Sequence, residues 1–223
     1  MDDFASIFQR AAERKGGAEA LEALLPEPAS DAQLRALPDN RYLAEMTKCV
    51  FRSGFVWKII ENKWPGFEAA FHEFDVSACV MISDEELEQL CGDERIVRNA
   101  KKIESVVGNA RFIREVRAEC GNFGAYVAAW PVSDIVGLWA ELKQRGSRLG
   151  GQTGRFFLRF VGKDTPMLSG DVVRALVDQG VVDKNPTSKK ALAAVQAAFN
   201  TWHEESGRPL CQISRTLACS VGD

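Results

Sequence analysis

Histidine is almost missing from this chain: His72 and His203 are the only two in 223 residues. A zinc site draws three or four converging Cys or His ligands, and the six cysteines, Cys49, Cys79, Cys91, Cys120, Cys211 and Cys219, include no CxxC pair. The sequence therefore predicts neither a metal centre nor a clustered iron–sulfur loop, and a Ser-His-Asp or Cys-His nucleophile is equally out of reach. No P-loop or GxGxxG motif is present, and no cofactor is expected. No apolar run approaches the roughly 20 residues that span a bilayer. The opening MDDFASIFQRAAERKGG lacks the cationic start and apolar run of a signal peptide. These absences predict no membrane association and a cytosolic protein, with reduced thiols packed as small core residues. A large charge excess is lacking too. With 28 Lys and Arg against 31 Asp and Glu the net charge is −3, so any nucleic-acid contact must use a local patch.

What is present is helical periodicity. Phe4, Ile7, Phe8 and Ala11 recur at helical spacing, Gly16-Gly17 interrupts, Leu21, Leu24 and Leu25 resume, and a short helix from Ser30 to Leu37 ends at Pro38. From Asn40 the pattern predicts one long helix to about Lys63, kinked at Ser53-Gly54. Trp64-Pro65-Gly66 reads as a turn before a face of Phe67, Phe71 and Phe74, and Ser83-Asp84-Glu85-Glu86 as a capping box. In ERIVRNAKKIESVVGNARFI the pattern puts Ile96, Ile103, Val106 and Val107 inside, with Arg95, Arg98, Lys101 and Lys102 outside. Helices are also predicted over 135–145, after Asp171, after Ser188 and at the C-terminus. No internal repeat, low-complexity segment or convincing strand stands out. Residues 1–38 read as an N-terminal helical extension and 39–223 as the main domain.

The chain turns on Lys143–Val173. A helical run, WAELKQRG, stops at Gly146, Gly150, Gly151 and Gly154, and an apolar run, RFFLRFVG, begins again. Glycines permit a tight turn and leave backbone N–H groups open to a ligand. Between Lys143 and Lys163 stand Lys143, Arg145, Arg148, Arg155, Arg159 and Lys163 with no Asp or Glu. Exposed amides in a basic surround suit a phosphate. Asp171 then follows alone in the otherwise uncharged TPMLSGDVV. Residues alone also allow a plainer reading: a Gly-rich helix connection, solvated cations and an Asp that caps a helix.

QRGSRLGGQT resembles, without gaps, the hairpin of the DNA-3-methyladenine glycosylase I family. LGGQTGR followed by SGDVV is similar to the hairpin and following Asp of the wider helix-hairpin-helix glycosylase superfamily, which includes endonuclease III. SGFVWKIIENKWPGFEAAFHEFD and ERIVRNAKKIESVVGNARFI resemble helical segments of the same family, so the resemblance runs from about Tyr42 to about Asp171. It implies an all-α fold of two helical lobes with a cleft between them and the hairpin on one rim. The partner it implies is damaged duplex DNA, met by a monomer.

The activity implied is hydrolysis of the N-glycosidic bond of an alkylated purine, of the 3-methyladenine type. Asp171 matches the superfamily's catalytic carboxylate. Trp57 matches a pocket tryptophan, whereas Cys49 stands where the family has a glutamate, and a thiol cannot bind a cationic base as a carboxylate does. Tyr42, Phe51 and Trp64 are further aromatic candidates for the base pocket. Arg148, Gly150, Gly151, Thr153, Gly154 and Arg155 are the expected DNA-binding set. Arg155 matches the lysine with which bifunctional members form a Schiff base, which implies no lyase activity. The family's structural zinc ligands have no counterpart here. The alternative function is a non-catalytic DNA-binding relative; a helical interaction protein without a DNA role is a third reading.

Overall fold

A computed structural model describes residues 1–222. Among them are fourteen α-helices, two short 3₁₀ turns and no strand, as the periodicity predicts. In chain order the helices are α1 (Phe4–Lys15), α2 (Ala18–Glu22), α3 (Asp31–Ala36), α4 (Asp39–Arg52), α5 (Trp57–Ala70), α6 (Val76–Met81) and α7 (Asp84–Gly92). They continue as α8 (Ala100–Cys120), α9 (Phe123–Ala129), α10 (Ile135–Arg145), α11 (Gln152–Phe160), α12 (Gly170–Asp178), α13 (Lys189–Ser206) and α14 (Leu210–Ser220).

The chain forms two compact units. One comprises Met1–Ala29, Pro131–Gly137 and the chain from Gly162 onward; the other comprises Ser30–Trp130 and Leu138–Val161. In the first, α1 packs on α2 and α14. Phe4, Ile7 and Ala11 are the buried stripe that drives this contact. Asp3 opens α1 by accepting from the Ser6 amide at 2.8 Å, and Gly16 ends it at φ 89°. Asp164 accepts from the amides of Leu210 and Cys211, each at 2.9 Å, and so satisfies the start of α14.

The second unit is built around α8, which packs against α4, α6, α7 and α9. Tyr42, Phe112 and Phe157 surround Phe123 at centroid distances of 5.2, 5.3 and 6.4 Å. A column of Trp64, Phe67, Phe71 and Phe74 forms a second aromatic block.

Four local expectations change. The helix expected from Asn40 to Lys63 is two helices, because Gly54 takes φ 76° and Ser53–Val56 turn the chain. Trp64-Pro65-Gly66 is no turn but lies inside α5, where the stacked aromatic column outweighs proline's cost to a helix. Ser83 caps α7 by accepting from Glu86 N at 3.2 Å, but Glu86 does not complete the box and meets His72 at 3.0 Å instead. Lys102, expected outside, is 4% exposed.

Candidate functional site

The expected hairpin is present. After α10 the chain turns over residues 146–151 and re-enters helix at Gln152. The turn is held from outside by a residue that periodicity did not single out. Asn109 of α8, wholly buried, donates to the Ser147 carbonyl at 3.1 Å and accepts from the Ser147 amide at 2.7 Å. Gly151, the first residue before α11, sits at φ 61°, ψ −134°, a conformation that side chains strongly disfavour. Gly154 has an ordinary backbone; its constraint is space, since a Cβ there would lie 2.2 Å from the Leu149 carbonyl oxygen. No side chain caps α11 and no acidic residue lies in its first turn, so the first amides keep their affinity for an anion.

The basic run is not one surface. Lys143 and Arg148 are exposed, and among the described residues neither forms an ion pair with a carboxylate. Arg145 is taken up by Glu119 at 2.7 Å and covers the Phe112 ring. Lys163 is buried. Arg155, expected on the DNA-binding surface, is 8% exposed and lies 4.3 Å over the Trp139 ring. Its Nε has no hydrogen-bond partner, and burial lowers its pKa to about 10. Periodicity explains both placements: Gly154 and Arg155 fall on the inner face of α11.

Beside the hairpin a cavity of about 210 Å³ opens between the α4–α5 turn and α11, below the ~300–1,000 Å³ of drug-sized pockets. Cys49, Arg52 and Trp57 line it from one side, and Thr153, Phe156 and Phe160 from the other. Trp57 meets Phe156 and Phe160 edge-on at 5.6 and 6.0 Å. The Arg52 guanidinium lies 4.8 Å over Trp57 and 5.2 Å over Phe160. Glu61 at 2.9 Å and Glu45 at 3.7 Å hold it there. Cys49 directs its thiol to Glu45 at 3.6 Å, and burial pushes the thiol pKa far above its ordinary value, which keeps it neutral. A second, more open cavity of about 300 Å³ is lined by Val50, Ser53, Arg148, Gly150 and Thr153. Ser53 and Thr153 belong to both.

Cys49 and Trp57 are thus brought together with Arg148, Gly150 and Thr153. Tyr42 and Phe51 are not: both are fully buried core residues outside the two cavities, and the Tyr42 hydroxyl donates to the Leu34 carbonyl at 2.8 Å. Trp64 belongs to the aromatic column and donates to Glu68 at 2.9 Å. Phe156 lines the cavity, while its neighbour Phe157 is buried in the core. Arg52, Phe156 and Phe160 are lining residues the sequence reading missed. The spacing 153, 156, 160 along α11 was the available signal, since residues three and four apart share a helix face.

Asp171 lies in the other unit, in the first turn of α12. It is not the cap; Ser169 is, accepting from the Val172 amide at 3.3 Å. The Asp171 carboxylate is open to solvent and accepts from Arg174 at 3.1 Å. Among the described residues no group of three or more His, Cys, Asp or Glu is gathered where a metal ion could be held. His72 faces Glu86, and the His203 Nδ1 faces the Arg208 carbonyl at 2.7 Å. The residues present do not fit a structural zinc. No helix of the described residues is long and apolar enough to cross a membrane.

A sequence profile of the methyladenine glycosylase family matches residues 36–150. DNA-3-methyladenine glycosylase 1 of Escherichia coli (strain K12) is 33% identical over 75 residues, 33% of this chain and 40% of that protein. The chain thus matches less than half the length of that curated relative. Among solved structures, 3-methyladenine DNA glycosylase I from Staphylococcus aureus is similar with a TM-score of 0.50 at 21% identity, over 62% of this chain and 80% of that one. The 8-oxoguanine glycosylase/lyase of Methanocaldococcus jannaschii, solved with a 15mer DNA containing 8-oxoguanine, is similar with a TM-score of 0.54 at 14% identity, over 96% of this chain and 95% of that one. At such identities these likenesses establish the helical glycosylase fold. The profile spans just over half of the 223 residues, including Cys49, Trp57 and the hairpin turn as far as Gly150, and the chain belongs to the methyladenine glycosylase family.

Proposed function

We propose that the protein is a monofunctional DNA glycosylase that hydrolyses the N-glycosidic bond of alkylated purines, of the 3-methyladenine type, in duplex DNA. The observation that carries this reading is the aromatic cavity of Trp57, Phe156 and Phe160 set directly beside the hairpin. An enzyme acting on a base must take it out of the stack, hold it against aromatic faces and pay the unstacking cost from its grip on the backbone. In this reading Arg148, Gly150 and the amides at the start of α11 hold a phosphate. Phe55 and Val56, 38% and 65% exposed between Gly54 and Trp57 of the cavity lining, fill the gap in the duplex. The base enters against Trp57. Asp171 orients and deprotonates the water that attacks the sugar as the bond to the base breaks.

Arg155 supports the absence of a lyase step. It occupies the place of a Schiff-base lysine, stays protonated at neutral pH even with its lowered pKa, and is packed on Trp139. Borohydride treatment of a reacting mixture is therefore expected to trap no protein–DNA adduct; an adduct that forms in the wild type and persists in Arg155→Ala would overturn the assignment and move the search to a lysine.

The test of the pocket is release of free methylated base from alkylated duplex. Trp57→Ala is expected to slow release by roughly 10- to 100-fold, the worth of one base–aromatic stack of about 1–3 kcal/mol, with much less effect on binding to undamaged duplex. A second reading, a DNA-binding relative without catalysis, is favoured by one observation: the carboxylate position of the family pocket holds the neutral Cys49. In that case the wild type binds duplex in a salt-dependent way and releases no base.

A further inference from the structure

Lys102 is a buried cation that the glycosylase reading does not use. It lies in the first turn of α8, where the helix dipole disfavours a positive charge, and among the described residues it has no carboxylate partner. Its ammonium instead leaves its own helix and donates to two carbonyls at the end of α4, Phe51 at 3.2 Å and Ser53 at 2.5 Å. It also rests 4.4 Å from the Phe55 ring centroid. The C-terminal carbonyls of a helix have no partners of their own, and a cation there is favoured by the dipole. Burial, and then the charge of Arg148, lower the Lys102 pKa; this is the cost of holding an ammonium there.

The segment so held is Ser53–Val56. It contains the left-handed Gly54, and the backbone amides it donates reach only Cys49 O from Ser53 at 3.2 Å and Arg52 O from Phe55 at 3.3 Å among the bonds outside helices. It presents Phe55 and Val56 and delivers Trp57 to the cavity. We propose that Lys102 is a positioning residue that sets the α4–α5 turn, and through it the placement of Phe55 and Trp57. The consequence for base release rests on the proposed glycosylase activity. The consequence for the turn does not.

Two measurements keep these apart. In Lys102→Met, which keeps the apolar stem and loses the donors, acrylamide quenching of the Trp57 component of fluorescence is expected to rise at least twofold. That component is the difference from the same pair in a Trp57→Phe background. If duplexes with methylated bases are substrates, kcat for base release is expected to fall at least tenfold with affinity for undamaged duplex unchanged. The losses from Lys102→Met and Phe55→Ala will not add, because both act through one turn, and Lys102→Arg, which retains donors, will restore part of the rate. Should Lys102→Met not fold, Lys102→Gln, with one donating amide, replaces it in each comparison. Unchanged Trp57 quenching overturns the proposal whether or not the protein releases bases, as do fully additive losses in an active enzyme. Altered quenching in a protein whose wild type releases no base sustains the positioning role and rejects the glycosylase reading alone.

Discussion

Asp171→Asn is expected to release methylated purines from duplex DNA at least 100-fold more slowly than the wild type, while binding the same duplex with similar affinity. The magnitude follows from the role: a positioned proton acceptor contributes roughly 10²–10⁴ in rate, and a neutral amide cannot take a proton from water. The geometry makes the substitution clean. Asp171 is solvent-exposed, does not cap α12, and has Arg174 at 3.1 Å as its ion-pair partner. Asparagine keeps the shape and can still accept a hydrogen bond from that guanidinium, and an exposed pair of this kind contributes only about 0–1 kcal/mol to stability. A drop in rate therefore cannot be assigned to unfolding, which a matched melting temperature checks. Equal rates for the two proteins would remove Asp171 from the mechanism. Salt-dependent binding by both with release by neither would favour the non-catalytic relative.

The second large effect concerns the hairpin. Gly154→Ala is expected to cost about 1–3 kcal/mol, the usual penalty for forcing a group into packed space. The melting temperature then falls by about 2–4 °C for each kcal/mol in a chain of this size. The obstacle is backbone: the new Cβ would sit 2.2 Å from the Leu149 oxygen and 3.3 Å from its carbon, so α11 must move away from the turn. DNA affinity is expected to fall with it, because the amides proposed to hold a phosphate move too. Gly150→Ala is the control. Its Cβ would meet the side chain of Lys143 at 3.2 Å, and that flexible, exposed chain can yield. Similar losses of melting temperature in the two variants would show that the close approach at Gly154 does not set the hairpin.

The resemblance carried by QRGSRLGGQT led to the family, which a profile over residues 36–150 shows, and to the helical glycosylase fold. The reason is local. A helix, a glycine-dependent turn and a second helix are encoded by neighbours in sequence, and Trp57 and Cys49 lie in a stretch with its own recognisable pattern. Helix boundaries were legible where a capping serine or a glycine stops the backbone pattern, as at Ser188 and Gly16.

What could not be read locally was decided by partners distant in sequence. Periodicity put Lys102 on the outside because it counts a lysine as polar; its burial depends on two carbonyls about fifty residues earlier. Six cations between Lys143 and Lys163 with no acid among them suggested one basic face, but Arg145 is claimed by Glu119 and Arg155 by Trp139, and only the packing of α8, α10 and α11 brings those partners into reach. Tyr42 and Phe51 qualified as pocket residues by ring chemistry alone, and the core took them, because burying an aromatic ring is favourable wherever the fold offers space. Composition and periodicity by themselves determined an all-helical chain with a glycine hairpin. The tertiary structure decided which cations stay free, which rings face the cavity, and that a buried lysine holds the turn between them, since each depends on contacts that sequence order does not contain.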